Sequence, residues 1–332
     1  MDIKEFTLRA TRKVLYLAQK SLKKDDGKMQ GHQYYEYVEL YDADANDYVY
    51  NVLSQGKPCM VSKFGTIELA AALQYRMHLK AQIGEVKFSH YKDFLLGRIP
   101  SAGWLGKSLC RLCSNAGFFP DDVSLLSRYY DENVEAMKQI DILGSYIYGE
   151  KYFAEELKQA RRVNLDGYYA PFYYEHPWTR VLRGKRVLVV HPFAEDIKSQ
   201  YARREKIWEN QEILPEFTLI TYKAVQSMLG TKTEYVTWFD ALQKMKDDIS
   251  KIDFDIALVG CGAYGMPLAA HIKQMGRQAV HLAGWTQILF GIIGLRWQNN
   301  PRVAPMMNEY WIHPSKSSIP TNHTKVEGGC YW

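Results

Sequence analysis

The sequence predicts an α/β fold, a Rossmann-like parallel sheet flanked by helices, with a more helical N-terminal part. Two apolar runs with strand character carry this prediction. Lys185–Val190 (KRVLVV) leads into His191, and Phe254–Val259 (FDIALV) leads into a glycine-rich turn followed by a helical pattern and another apolar run. Strand, turn, helix and strand in this order form a βαβ unit, which implies parallel strands.

The composition is that of a globular protein and narrows the classes of partner. Of the 332 residues, 47% are hydrophobic and 24% are charged, which argues against wholesale disorder. The formal net charge of +5 is too small for a dedicated nucleic-acid-binding protein, so no nucleic-acid partner is expected. The five cysteines are irregularly spaced, no signal peptide is recognisable, and no run of about 18 apolar residues occurs. These features predict a cytoplasmic protein without a transmembrane helix.

Residues 1–47 are predicted to form a basic amphipathic helix and a linker. Apolar residues recur every three or four positions from Ile3 to Ala18, and lysines and arginines occupy the other face. Such a helix can lie on an anionic membrane surface, so one expectation is that residues 1–24 make a peripheral contact at the inner face of the membrane. The alternative is a surface helix packed on the domain.

Residues 48–175 are predicted to form an N-terminal α/β part that is mainly helical. Pro58–Phe64 has the apolar character of a buried strand, and Glu68–Lys80 follows it as a helix. Residues 104–160 are predicted to be helical apart from breaks that contain glycine or proline.

Residues 176–332 are predicted to form a Rossmann-like nucleotide-binding part with a C-terminal tail docked on the fold. The predicted strands are Lys185–Val190, Phe217–Tyr222, Phe254–Val259 and Gln278–Leu282. The predicted helices are Thr237–Ile252 and Met266–Met275. Because ligands of parallel sheets bind beyond the carboxyl ends of the strands, we expect a site where the loops after Val190 and Val259 emerge.

The turn Gly260-x-Gly262-x-x-Gly265 matches the dinucleotide fingerprint in spacing and in context. Its glycines permit a tight turn, and the N–H groups of the following helix can bind phosphate. A nicotinamide site usually has an acidic residue at the end of the next strand, whereas here that strand ends in His281-Leu282-Ala283-Gly284. The pattern therefore favours a nucleotide-diphosphate ligand over NAD, and no NAD is expected. A tight strand–helix turn without a ligand is the alternative.

Several longer segments resemble the GT-D-type glycosyltransferases, a Rossmann-like family whose domain was first catalogued as of unknown function. The segments are Asn115–Pro120 (NAGFFP), His176–Phe193 (HPWTRVLRGKRVLVVHPF), Ser199–Arg204 (SQYARR), Val259–Trp297 and the ending NEYWIHPS…VEGGCYW. The resemblance spans roughly residues 50–332. It implies transfer of a sugar from a nucleotide-diphosphate donor, commonly a UDP-sugar, to a soluble or lipid-linked glycan acceptor in polysaccharide or glycoconjugate assembly.

A D-x-E motif after the first strand binds the divalent metal and the donor in this family. The matching stretch here is Lys63-Phe64-Gly65-Thr66-Ile67-Glu68 (KFGTIE), in which Glu68 occupies the position of the motif's Glu and Thr66 that of its Asp. Mg²⁺ and Mn²⁺ prefer oxygen ligands such as carboxylates. Three interpretations remain: a cation held by Glu68 and the substrate phosphates, a metal-independent enzyme, or a lost activity.

The site residues follow from these motifs. Glu68 and His191 are the candidate catalytic residues, since Glu68 can serve as a base or metal ligand and His191 as a base or phosphate donor. The candidate donor- or phosphate-binding residues are Lys63, Gly65, Thr66, Arg204, Gly260, Gly262, Ala263, Tyr264, Gly265, Gln287 and Arg296. Each has a structural alternative: Glu68 as a first-turn acid, His191 as a buried histidine, and the cations as solvated surface residues.

Two rival functions remain open at the level of sequence. The glycine-rich turn also fits an oxidoreductase or methyltransferase that uses NAD or S-adenosylmethionine. The replacement of the motif's Asp by Thr66 also fits a non-catalytic relative that binds nucleotides or glycans. Cys110-x-x-Cys113 is a weak zinc signature because no second pair of ligands occurs at a suitable spacing.

Overall fold

The computed structural model describes residues 36–100, 105–228, 231–320, 323 and 331–332, together with residues 13, 14, 17, 18 and 21. The predicted N-terminal amphipathic helix and its linker therefore lie largely outside the described residues. Within the described part of the chain, no helix has the length and apolar character needed to cross a membrane.

Strands and helices alternate along the chain. The strands are β1 (Cys59–Lys63), β2 (Ile142–Gly144), β3 (Arg161–Val163), β4 (Arg186–His191), β5 (Thr218–Lys223), β6 (Ile256–Val259) and β7 (Gln278–His281). The helices are α1 (Asp42–Ser54), α2 (Thr66–Gln82), α3 (Phe88–Leu95), α4 (Leu105–Arg111), α5 (Leu126–Met137), α6 (Asp166–Tyr169), α7 (Ala194–Tyr201), α8 (Trp238–Ile249), α9 (Gly265–Gln274), α10 (Trp285–Leu289) and α11 (Leu295–Gln298). A π-helical turn, Leu112–Ala116, continues α4.

The seven strands of the described chain form one sheet in the order β3-β2-β1-β7-β6-β4-β5. Every neighbouring pair is parallel. The α/β fold with a parallel sheet flanked by helices is therefore confirmed. Because β1 pairs with β7, the sheet continues from the N-terminal part of the chain into the Rossmann-like part.

The sheet is buried on both faces, as parallel sheets usually are. Leu188 and Val190 of β4 pack in a core with residues of α2, α5, α8 and α9. Val187 and Val189 point to the opposite face and pack with residues of α1, α7 and α10. The alternation explains why the predicted strands are apolar throughout, without the polar positions of a half-exposed strand.

Two strands were not predicted from the sequence. β2 lies within the region predicted to be helical, and β3 follows shortly after it. Each contains three residues, which is too short to show a period of two. Gly144, predicted as a helix break, ends β2, where a Cβ would lie 2.5 Å from Cε1 of Tyr168. The glycine is therefore needed for close packing.

Candidate functional site

A cavity of about 210 Å³ lies at the carboxyl edge of the sheet. Segments that follow β1, β4, β5, β6 and β7 line it. The chain passes from β4 to β5 in one direction along the sheet and from β6 to β7 in the other, so the neighbouring strands β4 and β6 mark a reversal of strand order. Parallel sheets bind ligands at such a position, and the sequence predicts a site at this edge.

Most of the residues proposed from the sequence line this cavity. They are Lys63, Gly65, Thr66, Glu68, His191, Gly260, Gly262, Ala263, Tyr264, Gln287 and Arg296. The fold thus brings the KFGTIE segment and the glycine-rich turn into one site, although they are far apart in the sequence.

Gly262 gives the glycine-rich turn its shape. Its φ of +59° is one that glycine adopts readily and other residues rarely do. A Cβ at this position would also lie 3.1 Å from the carbonyl oxygen of Ala116, on the opposite wall of the cavity. Gly262–Tyr264 form a helical turn that leads directly into α9. The first N–H groups of such a turn have no partner inside the helix and can bind an anion.

Gly260 and Gly265 serve close packing instead. A Cβ on Gly260 would lie 2.8 Å from Cδ2 of His191, and one on Gly265 would lie 2.6 Å from Cδ2 of His281. Gly265 is not part of the cavity lining. It allows the first turn of α9 to lie directly on β7, so its predicted position in the fingerprint has a packing reason.

Tyr264 holds the glycine-rich turn in place through packing and a hydrogen bond. Its ring is buried and stacks on Trp238, with ring centroids 5.1 Å apart and an interplanar angle of 10°. Its hydroxyl lies 3.0 Å from Oγ of Ser227, which in turn donates to the carbonyl of Gly117. These contacts connect the glycine-rich turn to the loop after β5 and to the end of the π-helical turn.

Glu68 lies at the start of α2, above the backbone of Gly65. Gly65 is the N-cap residue of the helix, and a Cβ on it would lie 2.5 Å from the carboxyl carbon of Glu68. An acidic side chain in the first turn is favoured by the helix dipole. Glu68 thus lies in the first turn of α2 and also lines the cavity, so that its carboxylate can accept a proton or hydrogen bond from a ligand.

Lys63 ends β1 and is a half-buried cation of the cavity. Its ammonium donates to the carbonyl of Phe64 at 3.2 Å and lies 5.5 Å from the ring centroid of Tyr146. Burial lowers the pKa of Lys63 to about 8; the nearby carboxylate of Glu68 opposes this shift, whereas Arg296 adds to it. The positive charge of Arg296 thus acts on Lys63 at this end of the cavity.

His191 is buried at the end of β4. Its Nδ1 accepts the backbone N–H of Phe193 at 3.0 Å, which places the ring proton of the neutral imidazole on Nε2. Burial lowers the pKa of His191 to about 3, so the ring is neutral near pH 7. In this tautomer His191 is a hydrogen-bond donor. The geometry therefore favours the phosphate-donor role over the role of a base.

Arg296 and Gln287 contact the C-terminal residues. The guanidinium of Arg296 lies 4.6 Å from the ring centroid of Tyr331 and donates to its hydroxyl at 3.2 Å. Gln287 is buried, and its amide donates to the carbonyls of Ile292 and Tyr331 at 3.2 and 3.1 Å. Tyr331 and Trp332 also line the cavity. This places the end of the predicted C-terminal tail against the fold.

Arg204 lies away from the cavity. Its side chain interacts with Glu205 at 3.3 Å and Glu216 at 3.7 Å, and it lies 5.5 Å from the ring centroid of Tyr201. The reason is topological: α7 starts at the carboxyl edge after β4 and carries the chain toward the opposite edge, so residues beyond its C-terminus are remote from the site. The expectation that Arg204 contacts the donor has no support in this arrangement.

Sequence reasoning missed one wall of the cavity. It consists of Asn115–Gly117 at the end of the π-helical turn and Val225–Met228 after β5. Asn133 and Tyr146 also line the cavity. NAGFFP was noted as a motif without a role, and the position of Val225–Met228 after a predicted strand was the available signal.

The donor set does not fit a metal held by side chains alone. Among the described residues there is no group of three or more His, Cys, Asp or Glu side chains that could hold a metal ion. Thr66 lines the cavity at the first position of α2, where the family motif has an aspartate, and leaves Glu68 as the carboxylate of this segment. We therefore derive no step through a metal. Cys110 and Cys113 likewise belong to no such group.

No protein-family model, curated protein or solved structure matches this chain. The resemblance to GT-D-type glycosyltransferases therefore remains a prediction from the sequence motifs.

Proposed function

We propose that the protein is a glycosyltransferase that transfers a sugar from a nucleotide-diphosphate donor, with a UDP-sugar as the first candidate, to a glycan acceptor. The main support for the proposal is one observation. The glycine-rich turn and the KFGTIE segment line the same cavity at the carboxyl edge of a parallel sheet. N–H groups at a helix start and cations can stabilise the charge of a departing diphosphate, and a carboxylate can accept the proton of an acceptor hydroxyl.

The donor would lie along the edge of the sheet. Its diphosphate oxygens would accept hydrogen bonds from the N–H groups of Gly262 and Ala263. Lys63 and Arg296 would lie next to the diphosphate on its other side. The nucleoside would extend to the other side, toward the wall that includes Asn115 and Gln226. β1 and β5 are separated by four strand spacings, roughly 19 Å, so the cavity edge is long enough for an extended ligand.

The reaction joins an acceptor hydroxyl oxygen to the anomeric carbon of the sugar. The bond between that carbon and the diphosphate oxygen breaks, and its electron pair stays with the diphosphate. Lys63, Arg296, the N–H groups of the turn and the Nε2–H of His191 would stabilise the added negative charge. The proton of the acceptor hydroxyl would pass to Glu68, the carboxylate at the start of α2.

The phosphate-binding role is tested with a matched pair of glycine variants. Gly262 and Gly276 both have positive φ, +59° and +82°, but Gly276 has no atom within 4 Å of a built Cβ and lies outside the cavity lining. Both valine variants bear a strained backbone. Gly262→Val should weaken UDP binding about tenfold or more, or 1.4 kcal/mol, measured by titration calorimetry. Gly276→Val should bind like the wild type.

Unchanged UDP affinity in Gly262→Val would contradict the phosphate-binding role of the turn. Binding of NAD or S-adenosylmethionine by the wild type, without binding of any nucleoside diphosphate, would replace the proposal with the rival oxidoreductase or methyltransferase. Thermal shifts with each ligand distinguish these outcomes, since a ligand that binds only the folded state raises its stability.

A further inference from the structure

An exposed apolar surface lies at the far end of α2, away from the cavity. Large hydrophobic side chains are exposed here at Leu79 (37%), Ile83 (68%), Phe88 (84%) and Leu96 (48%). They fall within 18 residues that include the end of α2, the connecting turn and α3. We call residues 79–98 the 79–98 surface. Isolated exposed apolar residues are normal, whereas a cluster indicates a contact.

The arrangement on α3 shows that the exposure is one-sided. His90, Asp93 and Phe94 are buried against the protein. Phe88, Lys92 and Leu96 are spaced by four residues and therefore share the opposite side. The exposed side of α3 thus presents two large apolar side chains and a lysine to the surroundings.

Basic side chains surround the apolar ones. Lys87, Lys92 and Arg98 are exposed and Lys80 is half-buried, and within the described part of the chain none of the three lysines forms an ion pair with an acidic side chain. Within residues 79–98, all of which are described, Glu85 is the exposed acidic residue. The other acid, Asp93, is buried and pairs with Lys151 at 2.8 Å and with Arg98 at 3.5 Å, so the unpaired positive charge of the surface comes from the lysines. The surface is thus both apolar and positive.

We propose that the 79–98 surface binds an anionic lipid bilayer, with Phe88 and Ile83 inserted between the headgroups and the lysines bound to lipid phosphates. Charge argues against the competing occupants. The N-terminal segment of this chain is itself rich in lysine and arginine, and a second copy would bring an identical positive surface. Both would be repelled, whereas an anionic membrane surface attracts basic residues.

The length of α2 indicates how the protein would be oriented on a membrane. This helix begins at the cavity with Thr66 and ends at Gln82, and its 17 residues span about 25 Å. Membrane contact through the 79–98 surface would therefore leave the cavity facing away from the lipid. Substitutions on this surface should not alter nucleotide binding, which makes this proposal independent of the proposed activity.

The test is co-sedimentation of the full-length protein with phosphatidylcholine vesicles, with and without phosphatidylglycerol. We expect binding to the anionic vesicles and release at high salt. The double variant Ile83→Glu/Phe88→Glu should weaken this binding by about tenfold or more, because two charges replace inserted apolar groups. The matched control is Val236→Glu, an exposed hydrophobic side chain (82%) outside this surface, which should bind like the wild type.

Three results would overturn the proposal. The wild type could fail to bind anionic vesicles. The double variant could bind them as tightly as the wild type, which would assign the contact to residues 1–24. Finally, the wild type could be a dimer that the double variant converts to a monomer, as measured by light scattering, which would assign the surface to a second copy of the chain.

Discussion

At the scale of single residues, Lys63 is the side chain whose behaviour depends most directly on the fold. From the sequence, Lys63 is a cation at the end of a predicted strand. A lysine on the protein surface could occupy the same position. Burial in the cavity lowers the pKa of Lys63 to about 8, and the nearby Arg296 adds to this shift. The charge of Lys63 is therefore lost within the range of ordinary buffers.

Binding of a nucleoside diphosphate should depend on pH through Lys63. Below pH 8 the ammonium is charged and attracts the diphosphate, and above pH 8 it is neutral. Between pH 7 and pH 9 the wild-type affinity should fall by up to about tenfold, as the charged fraction falls. Lys63→Met should bind more weakly at pH 7 and change little with pH. Titration calorimetry at both values measures this, and equal pH dependence in the two proteins would contradict it.

The same pKa shift affects the free energy of unfolding in the opposite direction. Because the folded-state pKa of about 8 is below the ordinary lysine pKa of 10.5, the unfolded chain binds more protons between these values. The destabilisation from burying the charge is fully present below pH 8 and disappears as pH rises toward 10.5. The stability advantage of Lys63→Met should follow the same course in denaturant titrations.

Residue roles were less predictable from sequence than residue positions. For His191 the sequence leaves a base, a phosphate donor and a buried histidine open, and its bond to the N–H of Phe193 together with its burial favours the neutral donor. Arg204 belongs to a distinctive motif yet forms ion pairs with Glu205 and Glu216. The sequence pattern shows neither the direction in which α7 carries Arg204 nor the burial of the His191 ring.

At the scale of elements, the contact between α9 and β7 depends on Gly265. The helix starts so close to the strand that His281 fills the space a Cβ would need. Nε2 of His281 is buried and has no hydrogen-bond partner in the described part of the chain, in keeping with this tight packing.

Gly265→Ala should destabilise the protein by about 1–3 kcal/mol, the usual effect of overpacking a core. In a His281→Ala background the same substitution should cost less, because the side chain that blocks the Cβ is gone. Urea unfolding of the four proteins in this double-mutant cycle measures the coupling. Additive effects would show that the contact between Gly265 and His281 does not limit the approach of the helix.

Strands within apolar runs that end at turn residues were predictable, and the three-residue strands were not. β4, β6 and β7 were found because buried apolar runs ended at turn residues. β2 and β3 were missed because three residues leave no pattern, and their positions are fixed by pairing with β1. The wall containing Gln226 was missed for a related reason: its loop has no motif and becomes part of a site through the position of β5 beside β4.

At the scale of the whole molecule, one sheet connects the two predicted parts of the chain. The pairing of Cys59–Val61 with Gln278–Val280 crosses the boundary that the sequence suggests near residue 175. If either side unfolded, the other would lose the strand that pairs with its β1 or β7 and would expose a new sheet edge. The cavity also takes residues from both sides, so its formation requires the complete sheet.

Residues 48–175 and 176–332 should therefore unfold together. Scanning calorimetry should give a single transition whose calorimetric enthalpy equals the van't Hoff enthalpy. Two separate transitions, with nucleotide shifting the temperature of the second alone, would instead indicate that the Rossmann-like part forms an independent unit.

The central claim is that this cavity cleaves a nucleotide-sugar donor. The most direct measurement is chromatographic detection of the nucleoside diphosphate released when the purified protein is incubated with UDP-, GDP- or dTDP-sugars, with water or added glycan as acceptor. We expect release from one donor class by the wild type and by Gly276→Val, and loss of release in Gly262→Val. Binding of NAD or S-adenosylmethionine, together with no release from any donor, would contradict the claim.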